Sequence, residues 1–211
     1  MKRRTLDLLF SIGGMALAGL LLVLGFVLTS NANFAKTYVK QQMGEQRISF
    51  KTADTLTDEE KKSPCLLKYA GLPLTTGKQA ECYANDFIGL HVKAVAGGQT
   101  YSELGVPQSA LAAKVKAATA ANDPALAELQ KQLAAVTGQR ETLFKGETLR
   151  GLLLTSFGFS VFGVKGGQAA TVAYLVAGLL ALLSLAGFAH ALKTPKTEAF
   201  APPERATVNA A

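Results

Sequence analysis

The residues best suited to chemistry in this chain are its two histidines. His91 lies in the central segment, with Glu81 and Asp86 nearby in sequence, and His190 lies at the end of a long apolar run. An iron site of the facial-triad type needs two histidines and one carboxylate within about 2 Å of one metal. The apolar run before His190 is long enough to cross a hydrocarbon layer of about 30 Å, so one chain cannot bring both histidines to one iron.

Other catalytic and cofactor sites lack their usual patterns. The sequence has no serine nucleophile elbow, zinc-ligand cluster, Walker motif or CxxCH haem attachment. For His91, on a predicted helix, a surface histidine is the simpler interpretation. The formal net charge of +7 is spread along the chain without a basic block. We therefore expect no catalytic, cofactor-binding or metal-binding residue, no enzyme activity and no nucleic-acid partner.

Cys65 and Cys82 are the only cysteines, and both lie in the central segment. An even count in an oxidising compartment predicts one disulfide, which would stabilise the fold by about 3 kcal/mol. A pair of free buried thiols is the alternative. The absence of a CxxC motif argues against thiol exchange as an activity.

Two apolar runs, at 8–28 and 168–192, contain no Asp, Glu, Lys or Arg. Both exceed the roughly 18 residues that separate a spanning helix from a buried core helix. The first run follows a basic N-terminus, as in a signal peptide, but it is longer than an h-region of about 7 to 15 residues. We interpret it as an uncleaved anchor and predict two transmembrane helices.

Basic residues set the predicted orientation. Lys2, Arg3 and Arg4 precede the first span, and Lys193 and Lys196 follow the second, so both termini are expected in the cytoplasm of a plasma (inner) membrane protein. The predicted segments are a cytoplasmic N-terminus (1–7), a first span (8–30), an extracytoplasmic helical domain with a juxtamembrane helix (31–167), a second span (168–192) and a disordered cytoplasmic tail (193–211).

The central segment is predicted to be mainly helical. The first span continues through "NANFAKTYVKQQMGEQ", and "TDEE" from Thr57 offers a capping box. Thr76 caps a helix that runs to about Ala96, where two glycines stop it. Further helices are predicted over about 108–121 and from Pro124 onward. The stripe predicted for the Thr76 helix consists of Ala80, Tyr83, Phe87, Leu90 and Ala94.

The stretch "TLFKGETLRGLLLTSF" (142–157) is predicted to be a helix that approaches the bilayer. Lys145, Glu147 and Arg150 are expected to reach solvent or headgroups as juxtamembrane contacts. Gly166 and Gly167 offer a hinge or break before the second span. The side predicted to be apolar contains Leu143, Leu149, Leu152, Leu153 and Phe157.

Small residues recur at packing intervals in both spans, where they let helices approach closely. Either the two spans pair with each other, or a helix of a larger complex also packs there. The first span carries Ser11, Gly14, Ala18 and Gly25, and the second carries Ala170, Ala173, Ala177, Ala181, Ser184 and Ala191. The spans offer no ionisable path for transport, since His190 lies at the edge.

Three stretches, "KYAG", "TTGKQAECYANDFIGLHVKAVAGGQTYSEL" and "TLFKGETLRGLLL", resemble a family of small actinobacterial two-span membrane proteins. Members often carry the label "aromatic ring-opening dioxygenase", which the positions of the two histidines contradict. The architecture is similar to that of mycobacterial factors associated with the respiratory supercomplex of cytochrome bcc and cytochrome c oxidase. The resemblance implies that complex as a partner.

We therefore expect an all-α membrane protein whose two transmembrane helices flank a mainly helical extracytoplasmic domain. Its expected role is that of a non-catalytic accessory or scaffolding subunit, with membrane lipids and other integral subunits as partners and no cofactor. The alternative is a free-standing extracytoplasmic sensor or lipid-binding protein, which would need an apolar pocket with convergent polar groups.

Overall fold

The computed structural model describes residues 2–196 and 198, and this part of the chain is helical without a β-strand. An antiparallel bridge joins Ser49 and Pro73. The all-α class is confirmed, whereas most of the tail predicted to be disordered lies outside the described residues. The helices are α1 (Arg3–Glu45), a 3-10 turn (Glu60–Lys62), α2 (Pro64–Tyr69), α3 (Gly77–Cys82), a π segment (Tyr83–Ile88), α4 (Gly89–Val95), α5 (Gly105–Ala121) and α6 (Leu126–Lys193).

The chain divides into two compact units. Among the described residues, the paired-helix unit comprises residues 2–34, 163–196 and 198, and the stapled unit comprises residues 35–162. Helices α1 and α6 contribute residues to both. The break predicted at Gly166 and Gly167 does not occur, because α6 is continuous over 68 residues. A glycine costs a helix interior only about 1 kcal/mol, which flanking helical turns can offset.

In the paired-helix unit, α1 and α6 run antiparallel and pack through small side chains. Gly14 lies against Ser184, and Gly187 lies against Ser11, so closely that a Cβ on either glycine would collide with the serine. A Cβ on Gly25 would lie 2.7 Å from the Tyr174 ring. Without Cβ atoms at these positions the two backbones can approach, as in membrane helix pairs.

The outer surfaces of this unit are apolar and uncovered within the chain. The most apolar windows of α1 and α6 have mean hydropathies of 2.3 and 2.2, yet only 11% and 17% of their residues are buried. A core helix of a soluble protein would be mostly buried instead. The stretches 8–35 and 166–192, which lack Asp, Glu, Lys and Arg, lie side by side. Both helices are therefore candidates to span a membrane.

The stapled unit has an aromatic and aliphatic core. Phe50 contacts Tyr69 and Tyr83, with ring centroids 5.5 and 5.2 Å apart, and Tyr83 contacts Phe87 at 4.6 Å. The buried members of the core are Phe50, Leu66, Leu74, Ala80, Cys82, Ala84, Ile88 and Leu153. Sheet pairing plays almost no part here, so side-chain packing and covalent closure hold these short elements together.

The helix predicted from Thr76 is present but includes the π segment. Thr76 caps this helix as predicted, and the Gln79 side chain completes a capping box that was not predicted. Gly97 and Gly98 follow the end of α4 with positive φ. The wider π turn changes the buried face, because it shifts the side chains that follow it. Ala80, Ala84 and Ile88 are buried, whereas Ala94 of the predicted stripe is exposed.

Two helix starts differ from those predicted. Helix α5 begins earlier, at Gly105, because Thr100 and Glu103 hydrogen-bond reciprocally and order the turn before it. Helix α6 begins at Leu126 and not at Pro124; Asp123 Oδ1 accepts a hydrogen bond from Ala125 N just ahead of it.

Candidate functional site

The predicted disulfide between Cys65 and Cys82 is present, with Cα atoms 6.0 Å apart. It ties α2 to the end of α3, next to the π segment. Asp86 Oδ2 lies 2.8 Å from Cys65 Sγ and accepts a hydrogen bond from Ser63 Oγ, also at 2.8 Å. The potential ligand atoms of Cys65, Cys82 and Asp86 lie within 4.8 Å of one another, but disulfide sulfurs are not thiolate ligands.

A buried carboxylate, Glu60, is the polar centre of the stapled unit. Its side chain is fully buried and accepts hydrogen bonds from Lys51 Nζ at 2.9 and 3.2 Å and from Thr57 N at 2.7 Å. Burial raises the pKa of Glu60, but the hydrogen bonds from Thr57 and Lys51 outweigh it, and the net pKa lies below its usual range. Thr57 Oγ1 accepts from Glu60 N, which completes the capping box predicted in "TDEE".

His91 belongs to the same network. Its Nδ1 donates to Phe87 O at 2.7 Å, its ring contacts the Phe87 ring, and its Nε2 lies 3.6 Å from Glu60 Oε1. Lys51 Nζ also lies 5.2 Å from the Phe87 ring centroid. Burial and the nearby Glu60 charge raise the pKa of Tyr83. These contacts hold the 51–62 segment against the π segment and α4, so the network stabilises the fold.

The three predicted juxtamembrane residues differ in their surroundings. Lys145 and Glu147 are exposed, but Arg150 lies on the inward face of α6. Its Nη1 donates to Glu147 at 3.2 Å and its Nη2 to Asn85 Oδ1 at 3.3 Å, whereas its Nε is buried without a partner. The Arg150 side chain nevertheless keeps 35% of its surface exposed, so it reaches solvent while it contacts the rest of the stapled unit, and its juxtamembrane role stays a prediction.

The three residues differ because only Arg150 lies on the side of α6 that packs against the rest of the stapled unit. Leu143 and Leu153 are buried as predicted, but Leu149 and Leu152 are exposed. A Cβ on Gly146 would lie 2.6 Å from Val92 Cγ2, so α4 packs closest to α6 on the side of Gly146. Residues 143, 146, 150 and 153 share that side at helical spacing. Sequence periodicity alone could not choose it, because apolar residues occur all around this part of α6.

A polar cavity of about 440 Å³ opens beside Arg150. The turn before α2, the π segment and α6 all contribute to its walls. Its polar and charged lining includes Glu59, Lys62, Ser63, Asn85, Asp86, Lys93, Glu147 and Arg150. None of these residues except Glu147 and Arg150 was singled out as a site by the sequence, since they come from three separate segments.

Arg140 is a charged residue within a run of apolar residues at helical spacing in α6. Its side chain holds the turn before α5 in place. Its Nε donates to Tyr101 O at 3.0 Å, and its guanidinium lies 4.1 Å from the Tyr101 ring centroid. Its Nη1 donates to Gln108 Oε1. In the sequence, the only sign that Arg140 contacts the turn before α5 was its charge within an apolar stretch.

The predicted packing residues of the spans lie between α1 and α6. The buried ones are Ser11, Ala18, Gly25, Ala170, Ala173, Ala177, Ser184 and Ala191, and the half-buried ones are Gly14 and Ala181. At one end, His190 Nδ1 lies 2.9 Å from Asp7 Oδ2. The small-residue surface is therefore occupied within the chain, and a partner helix at the same surface stays a prediction.

Comparison of the chain with protein-family models, curated proteins and solved structures finds no match.

Proposed function

We propose that this chain is a non-catalytic accessory or scaffolding subunit of a larger membrane complex. Helices α1 and α6 would cross the bilayer, with both termini in the cytoplasm and the stapled unit outside. The observation that carries this proposal is the apolar length of α6, which exceeds what one bilayer can cover.

Between Gly151 and Leu192, α6 carries only one residue among Asp, Glu, Lys and Arg, namely Lys165. At 1.5 Å per residue this length is about 60 Å, against a hydrocarbon layer of about 30 Å. The span at 168–192 accounts for the bilayer. One side of the uncharged stretch 151–164 packs on the rest of the stapled unit through Leu153, which leaves the opposite, exposed side for another environment. Leu152 and Phe162 in that stretch are 62% and 78% exposed.

Exposed apolar side chains next to a membrane span favour contact with another protein. Gly151 and Gly158 add room for close approach, because no atom outside the local helix lies within 4 Å of a Cβ built on either residue. The internal contacts also support a structural role. Lys51 and His91 both contact Glu60, and the small-residue surface of α1 packs against α6.

The respiratory supercomplex of cytochrome bcc and cytochrome c oxidase is the first partner to test, because the three resembling stretches imply it. The protein would be purified from membranes in mild detergent, and co-purifying subunits would be identified by mass spectrometry. We expect supercomplex subunits in the eluate. Recovery of the chain alone, or only with copies of itself, would favour the sensor or lipid-binding alternative.

Single substitutions test whether the 151–164 stretch contacts the partner complex. Phe162→Ser should reduce co-purification strongly, because it removes an exposed apolar anchor. Val106→Ser is the matched control, since Val106 on α5 is 75% exposed and lies outside the 151–164 stretch. His91→Ala should also leave association intact. Equal co-purification of the Phe162 and Val106 variants would count against the proposed surface.

Thiol labelling tests the topology. A cysteine introduced near residue 3 or 200 should resist an impermeant thiol reagent in intact cells, and one near residue 110 should react. Labelling at the termini alone would invert the proposed orientation.

A further inference from the structure

The polar cavity beside Arg150 holds charges that the chain does not pair. Asp86 accepts a hydrogen bond from the Ser63 hydroxyl, but no Lys, Arg or His among the described residues lies within ion-pair distance of it. Lys93 likewise forms no ion pair in this part of the chain. Among the described residues, the cavity thus contains one carboxylate and one ammonium that form no ion pair.

The other charges of the cavity are paired. Lys62 Nζ lies 2.6 Å from Glu59 Oε2, and Arg150 Nη1 lies 3.2 Å from Glu147 Oε2. With Asp86 and Lys93, the lining has three acidic and three basic side chains, so it has no net charge to attract a simple anion or cation. The cavity is neutral as a whole because acidic and basic side chains balance, and the two kinds occupy different positions in its lining.

Arg150 is incompletely satisfied by its neighbours. Charge-assisted N–H···O contacts usually measure about 2.7 to 2.9 Å, but those of Arg150 to Glu147 and Asn85 are 3.2 and 3.3 Å. Its Nε is buried and has no partner among the described residues, so a ligand in the cavity would not reach it. Each Nη carries two N–H groups and donates one of them here, so the exposed part of the guanidinium keeps hydrogen-bonding capacity for an anionic group that enters the cavity.

The π segment contributes two polar residues to the cavity lining. It spans Tyr83–Ile88 and contains both Asn85 and Asp86. Such segments are rare and frequently mark functional sites, because an irregular turn must be offset by other interactions. Here the turn brings Asn85 to Arg150 and Asp86 to Ser63, at the same cavity.

We propose that this cavity binds a zwitterionic ligand, with its ammonium at Asp86 and its phosphate or carboxylate at Lys93 and Arg150. Asp86 lies in the π segment and Lys93 on α4, and both line the same cavity. A phosphatidylethanolamine headgroup and a free amino acid share this chemistry. The inference does not depend on a partner complex.

The test measures ligand binding to the full-length protein in an uncharged maltoside detergent by isothermal titration calorimetry. The probes are glycerophosphoethanolamine, glycine, glycerol 3-phosphate and ethanolamine. At least one of the two zwitterions should bind saturably, about tenfold or more tightly than either singly charged probe, because each charged contact contributes substantially. Tighter binding of glycerophosphoethanolamine identifies a lipid headgroup, and tighter binding of glycine identifies a free amino acid.

Variants separate ligand contact from folding. Asp86→Asn and Lys93→Gln should each weaken zwitterion binding about tenfold, and Lys93 has no ion pair whose loss would disturb the fold. Lys116→Gln on α5 is the control and should bind as the unaltered protein does. Circular dichroism and the absence of free thiols verify the fold of each variant.

Three outcomes would overturn the proposal. They are the absence of saturable binding by both zwitterions, equal binding of a singly charged probe, and unchanged binding in both the Asp86 and the Lys93 variant. None of these outcomes bears on co-purification with a membrane complex, so the two proposals fail independently.

Discussion

The two units of this chain achieve close packing by opposite means, although α1 and α6 belong to both. In the paired-helix unit, glycine, alanine and serine let two helices approach and leave large apolar side chains outside. In the stapled unit, aromatic rings, a buried carboxylate and a disulfide fill the interior. The difference matches two solvents, since the hydrophobic effect drives packing in water but gives little help between helices in lipid.

This comparison predicts opposite sensitivities. The stapled unit should lose stability when a side chain or cross-link is removed, because cavities and unpaired charges form. The paired-helix unit should lose stability when a side chain is added at a close contact.

The disulfide should show the largest effect. Cys82→Ser should lower the free energy of unfolding of the stapled unit by about 2 to 5 kcal/mol, because it releases a loop with a sequence separation of 17. Denaturant titration of the protein in detergent, followed by tyrosine fluorescence, measures this change. A reductant should destabilise the unaltered protein but not the variant. Two free thiols in the denatured, unreduced protein would contradict the cross-link in solution.

Removal of the Glu60 partner should be the next largest effect. Lys51→Met should cost about 2 to 4 kcal/mol, because it leaves a buried carboxylate with only Thr57 and the more distant His91 to compensate it. The same denaturant titration applies. Lys61→Met, at an exposed position without an ion pair among the described residues, should change stability by less than about 0.5 kcal/mol. Similar losses in both variants would show that Glu60 does not depend on Lys51.

In the paired-helix unit, adding a side chain at Gly14 should cost about 1 to 3 kcal/mol, because a larger residue there would force α1 away from Ser184. Thermal unfolding in detergent would compare Gly14→Leu with Gly13→Leu. No atom outside the local helix lies within 4 Å of a Cβ at Gly13, so that variant is a matched control. Equal stability of the two variants would refute the close contact.

The smallest predicted effect is the response to acid. Because the folded-state pKa of Glu60 lies below its ordinary value of 4.5, its contribution is complete above that pH and is lost as pH falls through the folded pKa. Glu60→Gln should remove this contribution. The stability difference between the unaltered protein and the variant, measured from neutral pH to below pH 4.5, should therefore shrink on acidification. If this stability difference stayed constant with pH, the loss of stability in acid would come from carboxylates other than Glu60.

Local features of the sequence determined the all-α class, the two long apolar helices, the capping box at Thr57 and the N-cap at Thr76. These features depend on residues close in sequence, whose spacing matches helical geometry. The even cysteine count led to the correct disulfide because two cysteines allow only one pairing within a chain.

Only the tertiary structure decided which groups become neighbours across the chain. Arg150 faces inward because Gly146 lets α4 pack on that side of α6, and the polar cavity combines side chains from three segments. Glu60 is buried because the 51–62 segment folds against the helical region formed by α3, the π segment and α4. The small-residue surfaces of α1 and α6 pack against each other. Periodicity shows that a residue lies on one face of a helix, but the partner of that face depends on long-range packing, which local spacing does not encode.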